Sequence, residues 1–195
     1  MNLTFYDFAK SVVSLIFKPL YRIKVLGAEN IPSEGGVLLC SNHINNFDPL
    51  VVGISSRRPV HFMAKEELFA VPALGNIVRK CNAFPVKRGM SDREALRNAL
   101  AVLKADQVLG LFPEGTRSKT GELGKGLAGA GFFALRSAAK VVPCAVIGPY
   151  KKFHRLRVVF GKPIEMDEMR KNKVSAEQAT EIIMDEIRKL LENNK

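Results

Sequence analysis

Short apolar runs alternate along this chain with longer stretches whose apolar residues recur every three to four positions. The short runs at 21–26, 37–41, 60–64, 83–86, 108–112, 141–147 and 155–160 predict strands. The longer period predicts helices over 48–56, 71–80, 92–105, 126–139 and 176–193. Strands and helices in alternation imply an α/β fold. We expect a three-layer αβα arrangement around a mixed, largely parallel sheet, with helices covering both faces. In such sheets chemistry collects in the loops that leave the strand ends.

One apolar stretch stands apart, ahead of the first strand. Residues 3–20 hold Leu3, Phe5, Tyr6, Phe8, Val12, Val13, Leu15, Ile16, Phe17 and Leu20, interrupted by Asp7, Lys10 and Lys18. The uncharged run is shorter than the roughly 18–20 residues a spanning helix needs. No small-residue cleavage signature follows it, as one would follow a signal peptide. An amphipathic helix lying in a membrane interface, lysines near the headgroups, fits the pattern. The other reading is a helix docked on the core. Pro19 is expected to end it or mark its exit.

At 195 residues, with no internal repeat or Pro/Ser-rich linker, the remainder forms one domain with room for a full core. The formal charge of +11 attracts anionic partners: nucleic acid, lipid headgroups, or a phosphorylated substrate with an acidic carrier. The absence of Trp disfavours stacking on single-stranded nucleic acid. Cys40, Cys81 and Cys144 show neither pairing nor ligand spacing, which fits buried, reduced thiols. Cys40 lies near His43, so an acyl-cysteine is a lesser alternative. The three histidines are dispersed, and no metal is expected.

Four segments carry candidate chemistry. Asn42-His43 is followed by Asp48-Pro49. Residues five apart on one helix point roughly 140° away from each other, so a turn is needed to join His43 to Asp48. Joined, they make a dyad in which the carboxylate fixes the imidazole tautomer and the far nitrogen removes a proton. Unjoined, Asp48 is a helix N-cap before Pro49, and His43 is a polar loop residue. Spacing alone leaves both open. Phe112-Pro113-Glu114-Gly115-Thr116-Arg117-Ser118 offers a glycine for close backbone approach, hydroxyl donors, and an arginine fork suited to phosphate. A polar turn explains the same residues. Lys87 and Arg88 precede Gly89 at another strand end, and Lys65 closes a further strand; each can be an ordinary surface cation.

Together these segments resemble the glycerolipid acyltransferase family, its bacterial 1-acyl-glycerol-3-phosphate acyltransferases above all. That family carries an Asn-His-x-x-x-x-Asp block, an arginine block, a Phe-Pro-Glu-Gly-Thr-Arg-Ser block and a Val-Pro block, in that order. Here they are Asn42-His43 with Asp48, Phe84 to Arg88, Phe112 to Ser118, and Val142-Pro143. The likeness covers about residues 20–165, and the first and third blocks are the specific ones. Lys87 stands where an acidic residue often precedes the arginine, which leaves the headgroup preference open.

The resemblance implies a catalytic domain over 21–195, after the interfacial helix of 1–20. His43 would be the general base and Asp48 its orienting partner. Arg88, Glu114 and Arg117 would line the acceptor site, the arginines on its phosphate, with Gly115 and Thr116 shaping the same loop. The implied reaction moves an acyl chain from a coenzyme A or acyl carrier protein thioester to the sn-2 hydroxyl of lysophosphatidate. It needs no cofactor and no covalent acyl-enzyme. Lys65 is a candidate for stabilising the oxyanion. The expected setting is the cytoplasmic face of the cell membrane, on a phospholipid surface, without nucleic acid. Rivals are a relative that acylates glycerol-3-phosphate, a hydrolase, and a basic module binding nucleic acid or membranes.

Overall fold

The computed structural model describes residues 4–87 and 92–194. Helix α1 (Phe5–Leu20) leads through strand β1 (Lys24–Leu26) and a 3₁₀ turn (Ala28–Asn30) to strand β2 (Val37–Ser41). Then come α2 (Asp48–Ser55), β3 (Val60–Lys65), α3 (Glu66–Ala70), α4 (Leu74–Lys80) and β4 (Ala83–Val86). Helix α5 (Arg93–Lys104), strand β5 (Val108–Leu111), helix α6 (Gly129–Arg136) and strand β6 (Lys140–Ile147) follow. Strand β7 (Arg157–Phe160) and helices α7 (Asp167–Lys171) and α8 (Ala176–Asn193) complete the order.

The seven strands form one sheet in the order β1-β7-β6-β2-β5-β3-β4. All neighbours are parallel except β6 and β7, so β1 and β7 run against the other five. The sheet is mixed and largely parallel, as expected, and each expected strand is present with ends moved by a few residues. Central β2 shows why a plain apolar run reads as a strand here: all five of its residues are buried. Leu38 and Cys40 face Phe133 of α6 and Ile183 of α8, whereas Val37 and Leu39 face Val51 and Val52 of α2. Full burial of a Leu, Ile or Phe contributes roughly 1.5–3 kcal/mol, and these two apolar layers hold helices on both faces.

The crossovers set where a ligand can enter. From β2 the chain passes through α2 to β3, and from β5 it passes through α6 back to β6, on the opposite face. The two connections part between β2 and β5. That is a topological switch point, where open α/β sheets receive ligands.

Four helices depart from expectation. The helix expected over 71–80 starts later, at Leu74 as α4, and across Pro72 it is preceded by α3 (Glu66–Ala70), which was not expected. Val71 is extended (φ −72°, ψ 123°), as a residue before proline prefers, and Ala73 takes φ 62°. Helix α4 then passes so near α3 that a Cβ at Gly75 would lie 2.3 Å from the Phe69 carbonyl oxygen. Helix α6 is shorter than 126–139, because the Leu127 N–H donates to the Pro113 carbonyl (2.8 Å) and Ser137 is extended. Helix α7 was not expected; five residues are too few for a helical period to show.

Helix α1 begins at a capping box between Thr4 and Asp7 and holds Pro19 within its last turn, not beyond it. It docks on the domain by one side. The Val60 N–H donates to the Tyr6 hydroxyl (3.0 Å), Lys10 donates to the Ser56 carbonyl (2.6 Å), and Phe17 packs edge-on against Phe47. Its other side is exposed. Among the described residues, no helix is long and apolar enough to cross a membrane.

Candidate active site

Both sides of the switch point contribute. At the end of β2, Asn42 acts as an extra strand residue: its side-chain amide donates to the Val146 carbonyl (3.0 Å) and accepts the Val146 N–H (2.8 Å). This ties the β2 exit to β6. The next residue, His43, is clasped by the segment leaving β5. Glu114 Oε1 accepts the His43 N–H (2.9 Å), and the His43 carbonyl accepts the Ser118 N–H (2.8 Å). Phe112 stacks on the imidazole with centroids 4.1 Å apart and planes 20° apart. Phe62 of β3 lies nearly parallel to Phe112, with centroids 5.9 Å apart, its ring filling the space a side chain at Gly110 would need.

Asp48 lies 0% exposed at the foot of this stack. Its Oδ2 sits 2.8 Å from His43 Nδ1 and also accepts the N–H groups of Ile44 and Asn45, both at 2.7 Å. Its Oδ1 accepts the Tyr150 hydroxyl at 2.5 Å. A buried carboxylate is costly unless donors surround it, and four do so here. An ionised carboxylate only accepts, so Nδ1 carries the imidazole hydrogen and Nε2 is the basic nitrogen. Among the described residues nothing pairs with Nε2.

The N-cap alternative for Asp48 therefore needs correcting. Phe47 is the capping position and makes no side-chain cap bond; Asp48 is the first residue of α2. Its carboxylate turns back to the loop before it, drawing residues 43–45 around one oxygen. That loop is the turn the five-residue spacing requires.

Glu114 has a bracing role that its motif does not reveal. It is buried, with its second oxygen accepting the Gly124 N–H (2.8 Å), so both oxygens are committed to backbone amides. It braces the two loops through these bonds and also lines the groove beside Arg117. Gly115 takes φ 66°, left-handed backbone that a side chain resists, and a Cβ there would lie 2.5 Å from Leu127 Cδ1. Thr116 and Arg117 follow on the exposed side of the loop, beside a groove of about 350 Å³ that Lys119 and Lys125 also line. Among the described residues Arg117 has no carboxylate partner.

Lys65 is exposed at the end of β3, two strands from β2 in the sheet order, which is about 10 Å across the rim. Arg88 lies outside the described residues. Its neighbour Lys87 is exposed, 3.7 Å from Glu66.

Residues 22–147, well over half of the chain, match the profile of the Acyltransferase family. The chain belongs to this family. It is 29% identical over 166 residues to the 1-acyl-sn-glycerol-3-phosphate acyltransferase of Bacillus subtilis, covering 82% of each chain. It is 31% identical over 169 residues to a chloroplastic 1-acyl-sn-glycerol-3-phosphate acyltransferase of Arabidopsis thaliana, covering 80% of this chain and 47% of that one. The fold is similar to that of the 1-acyl-sn-glycerophosphate (LPA) acyltransferase PlsC from Thermotoga maritima. The TM-score is 0.69 at 24% identity, over 95% of this chain and 78% of the other.

In this acyltransferase, sequence reasoning missed Tyr150. It stands beyond β6, outside every block, and only folding brings it to Asp48. Burial first, then the Asp48 charge, pushes its phenol well above the ordinary value. The one available signal was an aromatic residue just past the strand that carries Val142-Pro143. The cysteines offer no nucleophile at the site: Cys40 and Cys144 are buried, and burial pushes the Cys144 thiol up to about 12. Cys81 is half-buried and unpaired, again by burial raised above its usual range.

Proposed function

We propose that this acyltransferase moves a fatty-acyl chain from a thioester of acyl carrier protein or coenzyme A to the sn-2 hydroxyl of 1-acyl-sn-glycerol-3-phosphate, giving phosphatidate. The observation that carries the reading is the His43–Asp48 contact of 2.8 Å at the switch point, with Nε2 unpaired among the described residues and the Arg117 loop hydrogen-bonded to His43. The acceptor named for the Bacillus subtilis and Arabidopsis relatives supports the substrate.

An alcohol attacks a thioester only as its proton leaves. Nε2 of His43 takes that proton while the hydroxyl oxygen bonds to the carbonyl carbon, and Asp48 holds the resulting imidazolium. Negative charge then rests on the former carbonyl oxygen, for which Lys65 at the end of β3 is the candidate cation. Collapse of this intermediate breaks the carbon–sulfur bond, and the proton on His43 neutralises the departing thiolate. No acyl-enzyme is involved. Arg117 and Arg88 grip the acceptor phosphate, Gly115 and Thr116 shape the loop that presents Arg117, and Glu114 fixes His43 through its backbone. The reaction takes place on a phospholipid surface at the cytoplasmic face of the membrane, with α1 lying in the interface.

The test is direct: purified protein, lysophosphatidate and each thioester, with products read by mass spectrometry. Phosphatidate is the expected product. Free fatty acid in its place identifies a hydrolase, and acylation of glycerol-3-phosphate alone identifies a different acceptor.

A further inference from the structure

The loop between β6 and β7 meets the elbow between α1 and β1 on the same rim of the sheet as His43. The Phe153 N–H donates to the Leu20 carbonyl (2.6 Å), the Leu156 N–H to Tyr21 (3.0 Å), and the Lys24 N–H to Leu156 (2.8 Å). These bonds gather Lys18, Arg22 and Lys24 from one segment with Lys151, Lys152 and Arg155 from the other, all exposed. Among the described residues none of the six pairs with a carboxylate. Like charges repel when crowded together, so this cluster stabilises nothing within the fold; it suits an anionic partner.

At its centre stands Phe153, 70% exposed and at φ 64°. A bulky residue avoids this left-handed backbone, yet here the bond to Leu20 holds it there, with the ring standing out among the cations. The apolar surface continues along α1. At roughly 100° per residue Phe8, Val12, Leu15 and Pro19 share one stripe, and Leu15 is 79% exposed. Tyr6, Val13 and Phe17 fall on the docked side; Asp7, Ser11, Ser14 and Lys18 separate the two along one flank, and exposed Phe5 and Ile16 widen the apolar stripe along the other. The outward stripe runs to the helix end where the Phe153 loop is attached.

We propose that the β6–β7 loop is a second membrane contact: Phe153 enters the interface of a bilayer carrying anionic lipid, and the surrounding cations meet the headgroup phosphates. An apolar tip within a cationic collar matches a surface that is anionic outside and apolar beneath. Continuity with the stripe of α1 favours this partner over an acidic carrier protein, which would meet the cations without needing the stripe. Contact at two places sets the rim bearing His43 against the lipid and fixes the domain's orientation. The proposal rests on the membrane-surface reading above.

The chain contains no Trp, so Phe153→Trp in the full chain places a single indole at the loop tip. Phosphatidylcholine vesicles with phosphatidylglycerol are expected to shift its emission to the blue, and brominated acyl chains to quench it; vesicles without phosphatidylglycerol do neither. Replacing Lys151 and Lys152 by Ala lowers partition onto the anionic vesicles by about tenfold or more. Three results overturn the proposal: unchanged emission while the chain sediments with the vesicles, no sedimentation at all, or a shift with acyl carrier protein and none with vesicles. Lysophosphatidate turnover by the unsubstituted chain is measured alongside. Its absence rejects the proposed reaction, and the fluorescence still decides the loop.

Discussion

Tyr150 donates its hydroxyl hydrogen to Asp48 Oδ1 at 2.5 Å, on the oxygen opposite the one that faces His43. The bond ties the chain just past β6 to the start of α2, which follows the neighbouring strand β2. It fixes the rotation of a carboxylate whose other oxygen must point at Nδ1. Tyr150→Phe keeps the ring and removes only this bond. Hydrogen bonds to charged groups contribute about 1.5–3 kcal/mol, so the variant is expected to lose about 2 kcal/mol of stability. Its kcat falls about tenfold with acceptor KM within about twofold. A larger change in KM than in kcat contradicts a role through Asp48.

The same bond gives a pH dependence. The folded chain keeps the Tyr150 proton where the unfolded chain, with an ordinary phenol near 10, releases it. The associated stability is therefore complete below about pH 10 and lost as pH rises above it. Urea midpoints measured from about pH 8 to about pH 11 are expected to fall more steeply for the parent than for Tyr150→Phe. Tyr6, also raised chiefly by burial, leaves part of the fall in place. Equal slopes in the two proteins contradict the assignment.

Glu114→Gln separates bracing from substrate contact. The buried carboxylate accepts the N–H groups of His43 and Gly124, and an amide presents a donor to one of them. The expected loss is about 1–3 kcal/mol of stability together with a lower kcat. A variant with unchanged melting and a raised acceptor KM would contradict the bracing role and leave Glu114 only its place in the groove wall.

Arg117→Ala is expected to raise the KM for lysophosphatidate about tenfold or more, with a smaller change in kcat, since a charge-assisted fork to phosphate is lost. Arg117→Lys keeps the charge without the fork and recovers part of the affinity. Steady-state kinetics over a range of acceptor concentrations check this, and an unchanged KM in the alanine variant removes Arg117 from phosphate binding.

Much of the fold was legible because the central strands are buried on both faces. Val37-Leu38-Leu39-Cys40 can scarcely be anything but an interior strand, and Lys140–Ile147 reads the same way. Pro72 was legible in principle as a break, but the helical period after it drew the expected helix back to Val71. At the site, the His43–Asp48 spacing admitted two structures, and local sequence could not choose between them. The choice lies in donors from elsewhere: the loop amides of Ile44 and Asn45 and the hydroxyl of Tyr150. Glu114 was visible as a site residue but not as a brace, because its partners are backbone amides, which carry no sequence signature. Its link to His43 is set by β2 and β5 lying side by side, a fact of topology.

The central claim is that His43 removes the acceptor's proton. The most direct measurement is the initial rate of phosphatidate formation by His43→Ala, at saturating lysophosphatidate and thioester, in protein shown to melt as the parent does. The expected rate is lower by at least about 10²-fold. A rate near that of the parent contradicts it.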